Sequence, residues 1–221
     1  MAKPIVYGTI VSPPVRSVLL TASALNLEID FKEVSLTKKQ HLTEEYLKKN
    51  PQHTVPTLDD NGKIAWDSHA IATYLIGKYG KNDELYPKDL YLRARIDQRL
   101  HFDTGVLFPI LREIIHELVY MKQPELSERT KGKIIEGYDF LNTFLASEPY
   151  LVGNSLTVAD LCCLSTVTTL NIFIPIDATK FPKLSQWVDK LTKLPYYNTA
   201  NKPGIDAFAR AVGQKAAEGK A

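Results

Sequence analysis

Cysteine is scarce in this sequence, which contains only Cys162 and Cys163 among its 221 residues. Adjacent cysteines cannot easily form an ordinary disulfide with each other, so a framework of disulfide bonds is excluded. Both lie in an apolar stretch with helical spacing, which predicts buried thiols that pack as small hydrophobic side chains. We therefore expect a reducing compartment, and the cytoplasm fits best.

Strong net charge and long hydrophobic runs are also missing. The 27 Lys and Arg residues nearly balance the 25 Asp and Glu residues, which leaves a formal net charge of +2. So small a charge argues against nucleic acid or an anionic membrane surface as a partner. No run of about 18 or more apolar residues is present, and the first residues, MAKPIVYG, lack the pattern of a secretory signal. We therefore expect a globular protein with neither kind of partner.

What the sequence does contain, over residues 1–80, is a mixture of strand and helix patterns. The runs KPIVYGTI and DFKEVSL indicate strands, and VRSVLLTASALNL has helical spacing. Asn61 and Gly62 suit a hairpin turn, because both tolerate positive φ. The resulting order, βαβ, helix, ββ, α, predicts an α/β domain with a mixed four-stranded sheet, consistent with a thioredoxin-like fold.

Beyond residue 80 the strand patterns disappear. Residues 81–90 are polar and are predicted to form a linker, and residues 91–221 are predicted to form an all-α helical domain. A long helix is expected from DLYLRARIDQ onward, with a kink at Pro109. Thr157 is predicted to cap a later helix, with Asp160 bonding back to it.

The long helix carries two apolar stripes. The first stripe consists of Leu100, Leu107, Leu111, Ile114 and Leu118. The second, roughly 100° around the helix, consists of Phe108, Ile115 and Val119, with Arg112 beside it. A helix that is apolar over half its circumference has to pack against two separate apolar surfaces. The pattern favours burial in a bundle, and the alternative is that one stripe lines a pocket for an apolar ligand.

Ser12 stands immediately before Pro13 and Pro14, where a helix is predicted to begin. Proline fits the first turn of a helix, because its missing N–H is not needed there. A redox protein of thioredoxin-like fold would carry a reactive cysteine at this point, and this chain has Ser12 instead. Two interpretations are equally favoured by the local sequence: an anion site at the helix N-terminus, or a serine that only caps the helix.

Two further segments shift this balance toward ligand binding. Val55 precedes Pro56 at the edge of a predicted strand, and thioredoxin-like domains use a cis proline there, which exposes the preceding backbone. Asp67 and Ser68 mark a second helix start, where an anion would be favoured. The Asp67 carboxylate could also pair with an ammonium group. A ligand with a thiol, amides, carboxylates and an amine would suit these segments, and glutathione has these groups.

Five motifs together resemble the cytosolic glutathione transferases, most closely the insect epsilon class and next the delta class. They are SPPVR (12–16), NPQHTVPTLDD (51–60 and its preceding asparagine), WDSHAIATYL (66–75), YPKDLYLRARIDQRLHFD (86–103) and LTVAD (156–160). The resemblance covers nearly the whole chain. It implies a homodimer that uses glutathione as co-substrate, needs no metal, and detoxifies xenobiotics, insecticides included.

The resemblance also implies roles for individual residues. Ser12 would be catalytic and would donate its hydroxyl to the glutathione sulfur. The residues implied to bind glutathione are His41, His53, Thr54, Val55, Pro56, Asp67, Ser68 and Arg112. Relatives often have glutamate where this chain has Asp67. The residues implied to form an apolar second-substrate site are Pro13, Leu36, Phe108, Leu111, Ile115, Val119 and Phe208.

Other functions fit the same sequence. Folds of this family also occur as non-catalytic binding modules, and the apolar stripe could bind a ligand without any reaction, as in a carrier. Glutathione-dependent isomerase, peroxidase or dehydrochlorinase activity on the same fold is a third alternative. The presence of Ser12, His53 and Asp67 together favours an enzyme that attacks small apolar electrophiles with glutathione.

Overall fold

The computed structural model describes residues 2–218, so Met1 and residues 219–221 of the predicted domains lie outside the described residues. The first part of the chain contains β1 (Ile5–Gly8), α1 (Pro13–Ala24), β2 (Asp30–Glu33), a 3-10 helix (Gln40–Leu42), α2 (Glu44–Lys49), β3 (Thr57–Asp60), β4 (Lys63–Trp66) and α3 (Ser68–Tyr79). The predicted order of strands and helices is confirmed, with the 3-10 helix as an addition.

The strands form one mixed sheet in the order β2-β1-β3-β4. β1 and β2 are parallel, whereas β3 is antiparallel to both β1 and β4. The parallel pair is joined by α1, as a crossover connection requires. The fold class expected from the sequence, a thioredoxin-like sheet domain followed by helices, is therefore confirmed.

The β3–β4 hairpin turns at the predicted residues. Asn61 and Gly62 both have positive φ, 56° and 82°. The carboxylate of Asp60, just before the turn, is buried and accepts hydrogen bonds from Tyr74, Lys78 and Tyr79 of α3. These bonds fix the hairpin against α3, the helix that begins at the predicted ligand-binding end of the sheet.

From Leu90 onward, the described residues form helices and connecting loops. The helices are α4 (Leu90–Phe102), α5 (Phe108–Ile115), α6 (Glu128–Phe144), α7 (Val158–Leu170), α8 (Pro182–Leu191), α9 (Tyr197–Ala200) and α10 (Lys202–Glu218). A π-helical segment, Asp103–Leu107, joins α4 to α5, and a second one, His116–Tyr120, follows α5. Pro109 stands in the first turn of α5, directly after the wider π turn, because it lacks the N–H that a continuous α-helix would use.

The two apolar stripes differ in burial. Leu107, Leu111 and Ile114 of the first stripe have no exposed surface and belong to the main core of the helical part. Phe108 and Ile115 of the second stripe are half-buried and pack only at the margin of that core. The long helix therefore uses one stripe for packing and leaves surface available on the other.

α7 runs through the centre of the molecule and is buried along its whole length. It contacts α1, so the sheet part and the helical part share one packed interface. Cys162 and Cys163 lie on α7 as buried free thiols, as predicted. None of the helices among the described residues combines the length and apolar character needed to cross a membrane.

Candidate functional site

Strand direction brings three loops to one end of the sheet. The chain leaves β1 at this end and continues to Ser12. Thr57, the first residue of β3, pairs with Tyr7 near the end of β1 and with Trp66 at the end of β4. The loop before Thr57 and the loop after Trp66 therefore lie beside the loop that ends at Ser12. The predicted glutathione-binding segments are neighbours for this topological reason.

Ser12 is the N-cap of α1 but does not cap it through its side chain. Its backbone is extended, with φ −79° and ψ 120°, and its hydroxyl makes no capping hydrogen bond. Its amide donates to the carbonyl of Thr9 at 3.0 Å, and its carbonyl accepts from Arg16 at 3.1 Å. The residue is half-buried, so its hydroxyl is held at the positive end of a 12-residue helix without a hydrogen-bond partner among the described residues.

The loop before β3 is fixed from beneath by buried polar side chains. Tyr46 donates its hydroxyl hydrogen to the Thr54 carbonyl at 2.7 Å, and the Asn50 amide nitrogen donates to the same carbonyl at 3.0 Å. The peptide bond between Val55 and Pro56 is cis, as expected. Thr54 is exposed, Val55 is half-buried and Pro56 is buried, so the loop presents the backbone before the proline at the surface.

Asp67 adopts an unusual backbone conformation at the start of α3. Its φ is 73°, in a region that non-glycine residues seldom occupy. One carboxylate oxygen accepts hydrogen bonds from the amides of His69 and Ala70, at 3.0 and 3.1 Å. The side chain is exposed, and the adjacent Ser68 is buried. Asp67 therefore caps α3 with one oxygen and keeps the other available for a cationic group.

His41 and His53 lie close together between β2 and β3. Their ring centroids are 6.3 Å apart, and Nδ1 of His41 is buried without a hydrogen-bond partner among the described residues. Burial, and next the neighbouring His53, lower the pKa of His41 below its ordinary value. The pair offers an unsatisfied polar atom and sites for a proton, which suits an incoming carboxylate.

The residues predicted for the apolar site fall into two groups. Phe108, Ile115 and Val119 are half-buried, and Leu36 is 39% exposed, so each has surface that a ligand could contact. In contrast, Pro13 and Phe208 are buried, and Phe208 packs edge to face on Phe173 with ring centroids 6.1 Å apart.

Leu111 differs from the expectation that it lines the apolar site. It has no exposed surface, because it belongs to the first stripe of the long helix and packs into the helical core. Its contribution in this structure is to packing. Arg112, the next residue on α5, is exposed.

A polar cluster that motif spacing does not indicate lies beside Asp67. Nε2 of His69 lies 3.0 Å from a carboxylate oxygen of Asp103, and its Nδ1 lies 2.9 Å from the Thr104 hydroxyl. Burial by itself would lower the pKa of His69, but its interactions with Cys162 and then with the buried carboxylate of Asp103 raise that pKa above its usual range. His69 and Asp103 stand within two quoted motifs, but their 34-residue separation hid the pairing.

A cavity of about 340 Å³ opens between α3 and α4, with Asp67, His69, Thr73, Asp97 and His101 in its lining. It brings Asp67 and the polar cluster to the same surface. Among the described residues, no group of three or more His, Cys, Asp or Glu side chains could hold a metal ion.

The fold has two parts, a thioredoxin-like part followed by a helical half. The thioredoxin-like part is defined by the small mixed sheet, with the cis proline and the two helix starts at one end. The family model of the glutathione S-transferase N-terminal domain matches residues 6–83, and that of the C-terminal domain matches residues 101–195. The chain belongs to the glutathione S-transferase family.

Individual relatives agree with this assignment. Glutathione S-transferase 1 of Manduca sexta is 43% identical over 95% of this chain and 97% of its own length. The structure of an epsilon-class glutathione S-transferase from the housefly, Musca domestica, is similar with a TM-score of 0.94 and 50% identity, over 96% of this chain and 98% of that one. A glutathione transferase homologue from Drosophila mojavensis, solved with bound glutathione, is similar with a TM-score of 0.94 and 47% identity, over 97% and 98%.

These similarities confirm the resemblance to the insect epsilon class. The delta class is also represented, by a transferase of Nilaparvata lugens at 37% identity and a TM-score of 0.90, over 96% of this chain and 99% of that one. The protein is a transferase enzyme, and glutathione is its co-substrate.

Proposed function

We propose that this enzyme conjugates glutathione to small apolar electrophiles and that the Ser12 hydroxyl holds the sulfur as a thiolate. The observation that carries the proposal is the free hydroxyl of Ser12 at the N-terminus of α1. The hydroxyl and the positive helix end both favour a negative charge on the sulfur. The thiol proton leaves to solvent, the thiolate forms a bond to the electrophilic carbon, and the leaving group departs with the electron pair of its broken bond.

The free energies involved limit what Ser12 contributes. A thiol with a pKa of about 8.5 is roughly 7% ionised at pH 7.4, and lowering that pKa by about 2 units, worth roughly 2.7 kcal/mol, increases the thiolate roughly twelvefold. Nucleophilicity falls at the same time by roughly eightfold, for a Brønsted slope of about 0.45. The net gain is small, so we expect most of the rate to come from holding thiolate and electrophile together in a dry pocket.

The remaining glutathione groups have natural partners at this end of the sheet. The backbone of Val55 would pair with the cysteinyl part, beside Thr54 and Pro56. Asp67 and Ser68 would hold the γ-glutamyl end, with Arg112 nearby. His41 and His53 would hold the glycyl carboxylate, and the unpartnered Nδ1 of His41 supports this assignment.

The half-buried second stripe supports an apolar site for the electrophile. Phe108, Ile115 and Val119 expose apolar surface on the long helix, and Leu36 does so after β2. Apolar xenobiotics are the substrate class that such a surface favours, and detoxification is the role we assign. We further propose that the enzyme acts in the cytoplasm, where its free thiols stay reduced, and as a homodimer, which light scattering should detect as a mass of two chains.

The decisive experiment is a conjugation assay with glutathione and 1-chloro-2,4-dinitrobenzene. Ser12→Ala should lower kcat/KM by less than about threefold at pH 7.4 and should raise the pH at which kcat/KM levels off by about 2 units, because the ionisation of the sulfur is what changes. Ser17→Ala is the matched control, because its hydroxyl lies on the same helix and donates to the Pro14 carbonyl. Glutathione binding without turnover in the wild-type protein would instead indicate a carrier or binding module.

A further inference from the structure

Arg16 is an arginine with no exposed surface, one turn into α1. Lys and Arg are almost never fully buried unless their donors are paired. Here the guanidinium makes five hydrogen bonds, and all their acceptors are neutral oxygen atoms. Burial lowers the pKa of Arg16 to about 10, which still leaves it protonated at neutral pH. A buried cation without a bonded carboxylate is costly, so its placement requires an explanation.

Two of these bonds hold the loop that ends at Ser12. Nη1 of Arg16 donates to the carbonyl of Ile10 at 3.1 Å and to that of Val11 at 2.9 Å. These are the two residues directly before Ser12. A loop carbonyl in such a position has no strand or helix partner, and the guanidinium supplies a donor for each.

The other three bonds connect Arg16 to the helical half of the molecule. Nε donates to Oδ1 of Asn201 at 2.8 Å, and Nη2 donates to the carbonyl of Ser165 at 3.1 Å and to the hydroxyl of Thr169. Asn201 is itself buried and donates to Thr168 of α7 at 3.2 Å. One side chain therefore joins the Ser12 loop to α7 and to the residue before α10.

A backbone contact reinforces this junction from the opposite side. Gly204, in the first turn of α10, is buried against the Ile10 carbonyl. A Cβ at Gly204 would lie 2.0 Å from the Ile10 oxygen and 2.6 Å from Cδ of Arg16. The Ile10 carbonyl is thus confined between Arg16 and α10, and the position of the loop depends on the helical half.

We propose that Arg16 is a positioning residue for Ser12, fixing the loop at residues 9–12 to the helical half so that the Ser12 hydroxyl stays in place. As far as it concerns Ser12 as a donor, this inference rests on the proposed function. The bonds to Ile10 and Val11 fix the position of the loop. The bonds to Asn201, Ser165 and Thr169 fix the position of the Arg16 side chain. Because the guanidinium is charged and lies at the N-terminal end of α1, it also adds positive potential on the side where the thiolate would form.

The test uses the full-length enzyme with three substitutions. Arg16→Lys keeps the charge but has no planar fork to bridge the carbonyls and α7. Thr169→Val removes a single acceptor of Arg16 and keeps the side-chain shape. Thr21→Val is the control, since Thr21 is equally buried on α1 and its hydroxyl donates to the Ser17 carbonyl and not to a group bonded to Arg16. The readouts are amide hydrogen exchange at residues 9–12 without glutathione, and the pH dependence of thiolate absorbance with glutathione bound.

We expect Arg16→Lys to speed exchange of the Ser12 amide by about tenfold while the β3–β4 hairpin is unaffected, because only the loop is released. The bound thiol should ionise about one pH unit higher, a tenfold change in its ionisation constant. The loss should be mainly in kcat, with the KM for glutathione changing less. Thr169→Val should also speed exchange and raise the pH at which the bound thiol ionises, but by less than Arg16→Lys. Thr21→Val should change neither quantity.

Unchanged exchange and unchanged thiol ionisation in a folded Arg16→Lys enzyme would overturn the inference. If Arg16→Lys does not fold, the Thr169→Val variant provides the test. Amide exchange at residues 9–12 that is no faster in Thr169→Val than in Thr21→Val would then contradict the inference. Ser12→Ala, measured alongside, separates the two proposals. If Ser12→Ala leaves thiol ionisation unchanged, Ser12 is not the donor, and that part of the proposed function is wrong. The exchange measurement still tests whether Arg16 holds the loop.

Discussion

Helices α1 and α7 both follow a hydroxyl residue at the N-cap position, and the two hydroxyls are used in opposite ways. At the start of α7, Thr157 is 3% exposed, and its hydroxyl and amide both donate to the Asp160 carboxylate at 2.9 Å. At the start of α1, Ser12 is half-buried, and its hydroxyl makes no capping bond. Local sequence alone would allow either residue to be an ordinary helix cap.

The difference lies in the tertiary surroundings. Asp160 is fully buried and also accepts hydrogen bonds from the Leu151 amide and the Trp187 indole, each at 2.9 Å. The four donors that face this carboxylate are all bonded to it, so the group stabilises the fold. Ser12 stands at the open end of the sheet, and within residues 2–218 its hydroxyl has no bonding partner, so it is available to a ligand. Spare bonding capacity therefore distinguishes the residues that we propose to act on a ligand from those that maintain the structure.

The largest effect on stability should come from removing the buried carboxylate at the start of α7. Asp160→Ala leaves four buried donors without their acceptor and should lower the free energy of unfolding by about 4 kcal/mol. Urea denaturation measures this loss, and Asp160→Asn, which keeps the shape, should lose less. Thiol ionisation in the folded fraction should equal that of the wild type, and a shift there would mean that the α7 start acts on the ligand as well.

The same contrast occurs within α5. Leu111→Ala should lower the free energy of unfolding by about 3 kcal/mol, because it opens a cavity in the core. Ile115→Ala, on the half-buried stripe, should cost less stability and raise the KM for the electrophile. Steady-state kinetics and urea denaturation on both variants check this. Equal effects on KM would contradict the division of the helix into a packing stripe and a ligand stripe.

His41 resembles Ser12 in having unused bonding capacity. Its pKa is lowered in the free protein, so it is largely neutral at pH 7.5, and a bound carboxylate would raise that pKa. Glutathione binding should therefore take up protons and tighten as the pH falls from about 7.5 toward the lowered pKa of free His41. His41→Gln should weaken binding by about fivefold and flatten this dependence.

Calorimetry in two buffers of different ionisation heat measures the proton uptake directly. His116→Gln is a suitable control, since His116 is exposed in the second π-helical segment. Proton uptake that persists unchanged in His41→Gln would assign it to another group.

The smallest effect concerns the stability contribution of Ser12. Loss of a working serine cap typically costs about 1 kcal/mol, whereas Ser12→Ala should change the free energy of unfolding by less than about 0.5 kcal/mol. Its hydroxyl makes no cap bond that could be lost. Urea denaturation of the two proteins without glutathione measures the difference. A loss above 1 kcal/mol would mean that Ser12 caps α1 after all.

Much of the fold could be predicted because its signals are local. The Asn61–Gly62 turn, the prolines after Ser12 and the Thr157–Asp160 cap each act within a few residues, and all three are confirmed. The domain boundaries at residues 80 and 91 stay predictions, as do the roles of the individual site residues.

The sequence could not reveal arrangements that depend on distant partners. Leu111 and Ile115 have equally apolar side chains one turn apart, and only packing shows that the first is in the core. Arg16 reads as a surface residue of a helix, but its partner Asn201 is 185 residues away. Pairings of this kind follow from the assembled fold and not from spacing along the chain.

The central claim is that the free hydroxyl of Ser12 stabilises the glutathione thiolate. The most direct test is the ultraviolet absorbance of the thiolate of bound glutathione as a function of pH, in the wild-type enzyme and in Ser12→Ala. We predict that the bound thiol of the wild type ionises about two pH units below a free thiol and that Ser12→Ala loses most of this shift. An identical, lowered ionisation in both proteins would contradict the claim and show that another group activates the sulfur.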